Sequence, residues 1–312
     1  MMRERLVARA QLLAHCRRFF AHRNVLEVET PLLSQAAVTD PHLDSLQTRI
    51  AGHAPTFYLQ TSPEHAMKRL LAAGVGDCYQ ICKVFRDGET GRNHNPEFTM
   101  LEWYRLGFDQ YQLMDEVEAL LTTALGSAYQ APAERLSYQA IFERYLAIDP
   151  HLCPVDALRA LCRDHAQADL PSADRDTLLN ALMGIVIGPQ LGHDRLTFVH
   201  DFPTSQAALA RLLPGNPPVA ARFEAYARGL ELCNGFHELS QPDEQRRRFE
   251  QDLAQRAALG LPAVPLDERL IAALQVGLPD CAGVAVGLDR VLMVAMGAES
   301  IQDVLAFAVT EC

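Results

Sequence analysis

The sequence lacks any apolar run long enough for a membrane-spanning helix, which needs about 20 consecutive apolar residues. Its most apolar stretch, residues 178–191, is interrupted by Asn180, Gly184, Gly188 and Pro189. The N-terminal segment begins with charged residues and no apolar segment follows, so we expect no secretory signal. These features exclude a helical membrane protein and predict a cytoplasmic one.

Paired cysteines and excess positive charge are also lacking. The eight cysteines are scattered, with no C-x-x-C pair and no zinc-binding spacing, which argues against a disulfide framework or a structural metal. The chain has 28 Lys and Arg residues against 39 Asp and Glu residues, so its net charge is −11. That balance argues against a protein that binds a long phosphate backbone, but it leaves phosphate chemistry in one local pocket open.

Helical and strand-like segments are segregated along the chain rather than strictly alternating. The helices predicted from amphipathic spacing and start signals cover residues 5–22, 62–74, 109–125, 137–146, 155–165, 175–187 and 242–259, and Ser62 is the predicted N-cap of the second. The predicted strands cover residues 25–31, 78–85, 98–106, 222–239 and 284–286. This order predicts an α+β fold with an antiparallel sheet flanked by helices. Because no linker interrupts it, we expect one domain over 1–312 with a mostly helical insertion around 127–195.

Residues 83–105 place charged side chains where a buried strand should have none. Arg86 ends an apolar strand, the loop that follows offers His94 and Asn95, and the return strand carries Glu102. A guanidinium can bind a phosphate through two hydrogen bonds, and a loop rich in donors can close over a nucleotide. From the residues alone, a solvated hairpin with surface ion pairs explains the pattern equally well.

Two further segments combine glycines with charge. Residues 229–239 carry Glu231 and Glu238 around a glycine turn, and carboxylates in an apolar strand are costly unless they are paired or bind a cation. Mg²⁺ favours carboxylates together with nucleotide phosphates, although two structural salt bridges would explain the same pattern. Residues 282–294 place Arg290 near the start of an otherwise apolar helix that follows a glycine-bearing strand.

Together these segments resemble the catalytic core of class II aminoacyl-tRNA synthetases, specifically its lysyl branch. L-E-V-E-T-P (26–31) is similar to the first class II motif, a dimer-interface element. F-R-D-G-E (85–89) to E-F-T-M-L-E-W-Y (97–104) is similar to the second motif, and G-V-A-V-G-L-D-R (283–290) to the third. The runs R-x-H-N-P-E-F-T-M-L-E and N-G-F-H-E-L are specific to the lysyl group. The resemblance covers about residues 5–310 and implies the class II catalytic fold.

Lysyl-tRNA synthetases carry an anticodon-binding domain before the first motif, and here that motif begins at residue 26, so we expect this domain to be absent. The chain therefore resembles the synthetase paralogues that use ATP to attach (R)-β-lysine, and more weakly L-lysine, to a lysine side chain of translation elongation factor P. The resemblance implies an AMP-forming ligase, a homodimer through the first motif, and no tRNA or membrane partner. The alternatives are tRNA aminoacylation and a non-catalytic synthetase paralogue.

The resemblance implies an ATP site drawn from all three motifs. Arg86 is expected to bridge the α-phosphate and the substrate carboxylate, and Arg290 to hold the γ-phosphate, as the two catalytic residues. Phe98 is expected to stack on adenine. The other expected ATP-binding residues are Gly88, Glu89, His94, Asn95, Glu231, Leu232 and Gly287. Gly88 stands where the motif usually has the acid that reads adenine, so either Glu89 takes that role or backbone groups do.

The same resemblance implies the positions of the amino acid and of Mg²⁺. The expected amino-acid contacts are Ser62, Glu64, Glu102, Tyr104, Glu238 and Ala285. Glu102 is expected to accept a hydrogen bond from a substrate ammonium group, because a desolvated dication needs acidic partners. Ala285 stands where lysyl-tRNA synthetases have glycine, and its methyl group is expected to reshape the pocket toward a β-amino acid. Glu231 and Glu238 are expected to ligate Mg²⁺ on the ATP phosphates.

Overall fold

The structure, a computed structural model, describes residues 2–312 with the side chain of Ser127 excepted. The helices in this range are α1 (Met2–Ala21), α2 (Glu64–Ala72), α3 (Gln110–Leu125), α4 (Tyr138–Leu146), α5 (Val155–His165), α6 (Arg175–Ala181), α7 (Pro242–Ala258), α8 (Glu268–Gly277) and α9 (Leu288–Met296). The strands are β1 (Leu26–Glu27), β2 (Leu33–Ser34), β3 (Gln47–Thr48), β4 (Phe57–Leu59), β5 (Cys78–Phe85), β6 (Glu97–Leu106), β7 (Glu134–Ser137), β8 (Thr197–Pro203), β9 (Leu212–Leu213), β10 (Val219–Ala227), β11 (Leu230–His237) and β12 (Cys281–Gly287).

The chain divides into two compact units. Unit one contains the residues up to Phe108 together with Leu239–Cys312, and unit two contains Asp109–Glu238. In each unit the strands pair mainly antiparallel and helices accompany them, which confirms the predicted α+β class. None of the described helices is both long enough and apolar enough to cross a bilayer.

In unit one, β5, β6 and β12 form an antiparallel sheet, and the short β1 runs parallel to β5. The register places Gln80 of β5 and Ala285 of β12 opposite Glu102 of β6. Because cross-strand partners share a face of the sheet, these three side chains form one row. The strands β2, β4 and β3 form a separate small sheet.

Aromatic side chains pack α1 against the sheet of unit one. The Phe20 ring stacks on Tyr79 with ring centroids 4.4 Å apart, and it meets the Trp103 ring edge-on at 5.2 Å. Phe20 and Trp103 are fully buried, so this cluster anchors the strands that carry the candidate site.

A buried ion pair ties α1 to the start of α9. Asp289 is 1% exposed; its Oδ2 accepts a hydrogen bond from the Thr99 backbone N–H at 2.6 Å, and its Oδ1 pairs with Arg9. The same Arg9 guanidinium donates to the Val304 carbonyl at 3.0 Å. Asp289 therefore fixes the helix that presents Arg290.

Replacing Arg9 by methionine is expected to lower the free energy of unfolding by about 3 kcal/mol, because the buried Asp289 carboxylate then lacks its cation. Urea unfolding measures this loss. The matched control is Arg18→Met on the exposed side of the same helix, which should change stability by less than about 0.5 kcal/mol. Equal losses in the two variants would contradict the assigned role.

In unit two, β10 pairs antiparallel with β11, β8 and β9, while β7 runs parallel to β8. The core stacks Tyr138 on Phe142 with centroids 4.6 Å apart, and Phe202 lies 4.9 Å from Tyr138. Residues 127–195 contain α4, α5, α6 and a π-helical segment, Leu182–Ile187, with β7 as the strand. That this stretch is an insertion in a single domain stays a prediction.

Some predicted boundaries differ from the structure. The strand expected over 25–31 is only Leu26–Glu27, since pairing with β5 stops there. The expected helix over 175–187 ends as an α-helix at Ala181 and continues as the π-helical segment. Residues 222–239 are two strands, β10 and β11, joined by a turn in which Arg228 and Gly229 have φ of 51° and 73°.

Candidate active site

A buried carboxylate lies in the middle of β6. Glu102 is 2% exposed, and its Oε2 accepts a hydrogen bond from the Ser62 hydroxyl at 2.7 Å. Its Oε1 accepts a second hydrogen bond from the Tyr104 hydroxyl at 2.6 Å. A carboxylate inside a sheet is unfavourable unless other groups compensate it, so this geometry indicates a binding site rather than ordinary core.

The segment before α2 supplies the other side of this pocket. Ser62 is not the N-cap that the sequence predicted, because α2 begins at Glu64 and the N-cap residue is Pro63. The Ser62 hydroxyl instead accepts from the Glu64 backbone N–H at 3.0 Å while it donates to Glu102. One hydroxyl thus links the start of the helix to the buried carboxylate.

The first turns of α2 carry an ion pair. Glu64 and Lys68 are four residues apart and therefore lie on one face of the helix, with Lys68 Nζ 2.7 Å from Glu64 Oε1. Lys68 is 1% exposed, so the pair is desolvated on the lysine side. We call Ser62, Glu64, Lys68, Glu102 and Tyr104 the acid cluster.

The acid cluster shifts the protonation of its central carboxyl. Burial, together with the nearby Glu64 charge, raises the pKa of Glu102 to about 7. The hydrogen bonds from Ser62 and Tyr104 and the Lys68 charge act in the opposite direction. Glu102 therefore changes charge near neutral pH, where a cationic ligand would favour its ionised form.

Arg86 lies at the end of β5. Its guanidinium carbon is 5.1 Å from the centre of the Phe98 ring, and its Nη1 is 3.6 Å from Glu89 Oε1. Among the described residues, the buried Nε of Arg86 has no hydrogen-bond partner. An unused buried donor on a guanidinium suits an anionic ligand. The structure thus brings Arg86, Glu89 and Phe98 together.

The polar loop after Arg86 turns at Gly88 and is attached to the C-terminal segment. Gly88 has φ of +77°, and a Cβ built there would meet no atom within 4 Å. The Asn95 amide donates to the Glu97 carbonyl at 2.6 Å and accepts from the Val309 backbone N–H at 3.1 Å. Both ends of this amide contact protein groups, so Asn95 holds the loop in place.

A histidine and an arginine meet at the loop. Arg290 lies in the first turn of α9, directly after Gly287 has ended β12, and its Nη2 lies 2.7 Å from His94 Nε2. Arg290 Nε also donates to the Asn93 carbonyl at 3.3 Å. Burial lowers the pKa of His94, and the neighbouring Arg290 charge lowers it further. A neutral His94 can accept this hydrogen bond, so it holds the Arg290 guanidinium at the loop.

A bulge in unit two sets the direction of two carboxylates. Tyr226 lies opposite Glu231, but the residue before Tyr226 lies opposite Cys233, so Leu232 is an extra residue on β11. Glu231 and Glu238 are seven positions apart, an odd number, and would face opposite ways on a regular strand. The extra residue reverses the alternation, and both carboxylates lie on the same face.

That face of unit two is polar. Arg222 contacts Glu224 at 2.5 Å and donates to the Asn234 side chain at 3.1 Å, and the Tyr226 hydroxyl donates to Glu224 at 2.6 Å. Cross-strand pairing places these four residues on the face of Glu231. Sequence reasoning missed this network, although arginine, glutamate and tyrosine at alternate positions of one strand could have indicated it.

Comparison with known proteins identifies the fold. A family model described as tRNA synthetases class II (D, K and N) matches residues 1–311. The chain belongs to the class II tRNA synthetase family. A protein of Klebsiella pneumoniae subsp. pneumoniae named elongation factor P–(R)-β-lysine ligase is 53% identical over 313 residues, which is 97% of this chain and 94% of that relative. A protein of the same name from Salmonella paratyphi B is 52% identical over the same shares.

The synthetase assignment gives two of the motif segments their structural meaning. The second motif is the β5–β6 hairpin with its loop, and the third is β12 with the start of α9. The structure brings Ser62, Glu64, Glu102 and Tyr104 together in one hydrogen-bonded cluster, with Ala285 opposite Glu102. Sequence reasoning missed Lys68, although its four-residue spacing from Glu64 on a predicted helix was a usable signal.

The two carboxylates of unit two fit a magnesium-binding synthetase. Mg²⁺ in nucleotide sites is held by one or two carboxylates, and phosphates and water supply the remaining oxygens. Glu231 and Glu238 provide such a pair on one face, with Glu238 1% exposed. Residues 2–312 contain no cluster of three or more His, Cys, Asp and Glu side chains suited to a metal held by protein alone.

Proposed function

We propose that the chain is an ATP-dependent, AMP-forming ligase that activates (R)-β-lysine and transfers it to a lysine side chain of elongation factor P. The observation that carries the proposal is the 53% identity, over 97% of the chain, to a relative of that name. The acid cluster of unit one supports it, because a buried carboxylate that ionises near neutral pH suits an amino acid with an extra ammonium group. The relatives' name favours a protein acceptor over tRNA.

In the activation step, a carboxylate oxygen of the amino acid attacks the α-phosphorus of ATP and pyrophosphate leaves. Arg86 stabilises the charge that develops between the α-phosphate and the substrate carboxylate, and Arg290 holds the γ-phosphate. Phe98 stacks on adenine, and Gly88, Glu89 and the loop residues enclose the nucleotide. The substrate carboxylate is the nucleophile, so catalysis consists of positioning and charge stabilisation.

Mg²⁺ bound by Glu231 and Glu238 would neutralise negative charge on the phosphates. The hydrogen bonds between Arg222, Glu224 and their neighbours limit the movement of the strand face that carries Glu231 before the ion binds. Leu232, the bulge residue, directs Glu231 to that face.

The amino acid is recognised at the acid cluster. Glu102 accepts a hydrogen bond from one substrate ammonium group, while the hydroxyl groups of Ser62 and Tyr104 hold the Glu102 carboxylate in place. The methyl group of Ala285 lies beside Glu102 on the same face of the sheet and narrows the pocket there. This shape favours (R)-β-lysine, with L-lysine as the weaker substrate.

In the transfer step, the ε-amine of the acceptor lysine attacks the carbonyl carbon of the adenylate as the free base. The bond from that carbon to the phosphate oxygen breaks, AMP leaves with the electron pair, and the new amide nitrogen releases one proton. The acceptor is a translation factor, so we place the reaction in the cytoplasm. We also propose a homodimer through the first motif, where Leu26 is 53% exposed and the two leucines that directly follow the motif, Leu32 and Leu33, are each 37% exposed.

ATP–pyrophosphate exchange tests the activation step without the acceptor. We expect exchange that depends on the amino acid, with a higher kcat/KM for (R)-β-lysine than for L-lysine. Exchange that favours L-lysine, together with charging of bulk tRNA, would contradict the proposal.

A further inference from the structure

A buried lysine lies inside the acid cluster, and the mechanism above gives it no role. Lys68 is 1% exposed, and its Nζ lies 2.7 Å from Glu64 Oε1. A desolvated ammonium group is unfavourable unless a carboxylate compensates it. Glu64 provides that compensation, so the two side chains together contribute no net charge to the pocket.

The net charge of the cluster is therefore that of Glu102 alone. Glu64 and Lys68 act on Glu102 in opposite directions: the Glu64 charge raises the pKa of Glu102, whereas the Lys68 charge lowers it. Burial is the largest cause of the raised pKa of Glu102, and the balance between the two charges adjusts the ionised fraction of this carboxyl when the amino acid arrives.

On the two strands that pair with β6, the described residues beside Glu102 are uncharged near neutral pH. On β5, burial raises the pKa of the Cys78 and Cys82 thiols to about 12, so both stay protonated. Gln80, which lies opposite on β5, and Ala285, which lies opposite on β12, do not titrate. Lys68 and Glu64 are thus the charges that control Glu102.

We propose that Lys68 is a positioning residue that neutralises the charge of Glu64, leaves Glu102 as the carboxylate of the acid cluster that answers a substrate charge, and so fits this end of the pocket to a single ammonium group. The inference rests on the proposed function, since it names the amino-acid substrate of that site. A pocket with two uncompensated carboxylates would instead take up a proton before it bound the substrate.

Lys68→Met tests the inference through the pH dependence of the amino-acid KM in pyrophosphate exchange. Binding of the ammonium group needs ionised Glu102, so KM rises as the pH falls below the pKa of this carboxyl. Without the Lys68 charge the pKa of Glu102 is higher. If that pKa rises by one unit, the ratio of KM at pH 6.5 to KM at pH 8.5 is expected to increase about sixfold. The same ratio for the KM of ATP should not change.

Three matched variants separate charge from packing. Lys68→Arg keeps the charge and should keep the wild-type ratio. Glu64→Gln removes the charge that raises the pKa of Glu102 and keeps the Lys68 charge that lowers it, so its ratio should fall toward one. The double variant Lys68→Met/Glu64→Gln removes both charges and should return toward the wild-type ratio. The inference would be overturned if Lys68→Met kept the wild-type KM ratio, or if the KM ratio changed equally in Lys68→Met and in the double variant.

A readout independent of activity keeps the two proposals apart. NMR titration of the Glu102 carboxyl carbon, in protein without substrates, measures the pKa of this group directly. That pKa should be higher in Lys68→Met than in the wild type and lower in Glu64→Gln. If the wild-type protein shows no ATP–pyrophosphate exchange in the presence of any lysine isomer, the proposed function is wrong. The titration then decides the role of Lys68 by itself. An unmoved titration refutes that role.

Discussion

Replacing Arg86 by alanine is expected to lower kcat for amino-acid activation by about 100- to 1,000-fold, which is the usual cost of removing one donor aimed at developing charge. The guanidinium lies over Phe98 and near Glu89, and its buried Nε has no partner among the described residues. The side chain is therefore held in place, and its Nε can still donate a hydrogen bond to a ligand. Because the donor acts on charge that grows in the transition state, kcat should fall more than KM rises.

Pyrophosphate exchange under saturating ATP and amino acid measures this loss. The matched control is Lys83→Ala, which removes another cation from the same strand. Lys83 is 44% exposed and pairs with the exposed Glu97 at 3.3 Å, so its removal should change kcat by less than about twofold. An Arg86→Ala protein that folds and keeps wild-type kcat would show that the second motif has been assigned wrongly.

Replacing Glu102 by glutamine is expected to abolish amino-acid activation and to stabilise the protein at alkaline pH. Burial raises the pKa of Glu102 from its usual value to about 7, so the folded protein binds this proton more tightly than the unfolded chain does. The wild type therefore loses stability as the pH rises from about 4.5 through about 7, by at most about 3 kcal/mol. Glutamine does not titrate, so the variant escapes that loss.

Urea unfolding at pH 4.5 and pH 8 measures the difference between variant and wild type. We expect the advantage of Glu102→Gln to be larger at pH 8 than at pH 4.5. Glu97→Gln on the same strand is the control, because Glu97 is 49% exposed and its removal should have the same small effect at both pH values. A stability advantage for Glu102→Gln that is independent of pH would contradict the electrostatic explanation. The expected gain in stability at pH 8, accompanied by lost activity, is typical of a residue kept for binding rather than for folding.

The sequence predicts the fold class and the second-motif hairpin because both depend on local patterns. Apolar alternation on either side of a polar, glycine-bearing loop indicates paired strands wherever they lie. The motif residues Arg86, Glu102 and Tyr104 follow from the resemblance, and the structure places Glu102 and Tyr104 in direct contact. These features need no knowledge of distant contacts.

Other features depend on contacts that no local pattern encodes. The hydrogen bond from Ser62 to Glu102 joins residues 40 positions apart, and Arg9 meets Asp289 across 280 positions. The bulge at Leu232 is a difference in register between two strands, so strand propensity alone cannot reveal it. The N-cap prediction for Ser62 was wrong for the same reason, since its hydroxyl donates to Glu102 on the distant strand β6.

Mass spectrometry of elongation factor P tests the central claim most directly. The factor is incubated with this protein, ATP, Mg²⁺ and either (R)-β-lysine or L-lysine, with Arg86→Ala protein as the control. We predict that one lysine side chain of the factor gains the mass of one lysyl residue, that the gain requires ATP, and that it is greater with (R)-β-lysine. An unmodified factor under conditions in which the protein exchanges pyrophosphate would contradict the account.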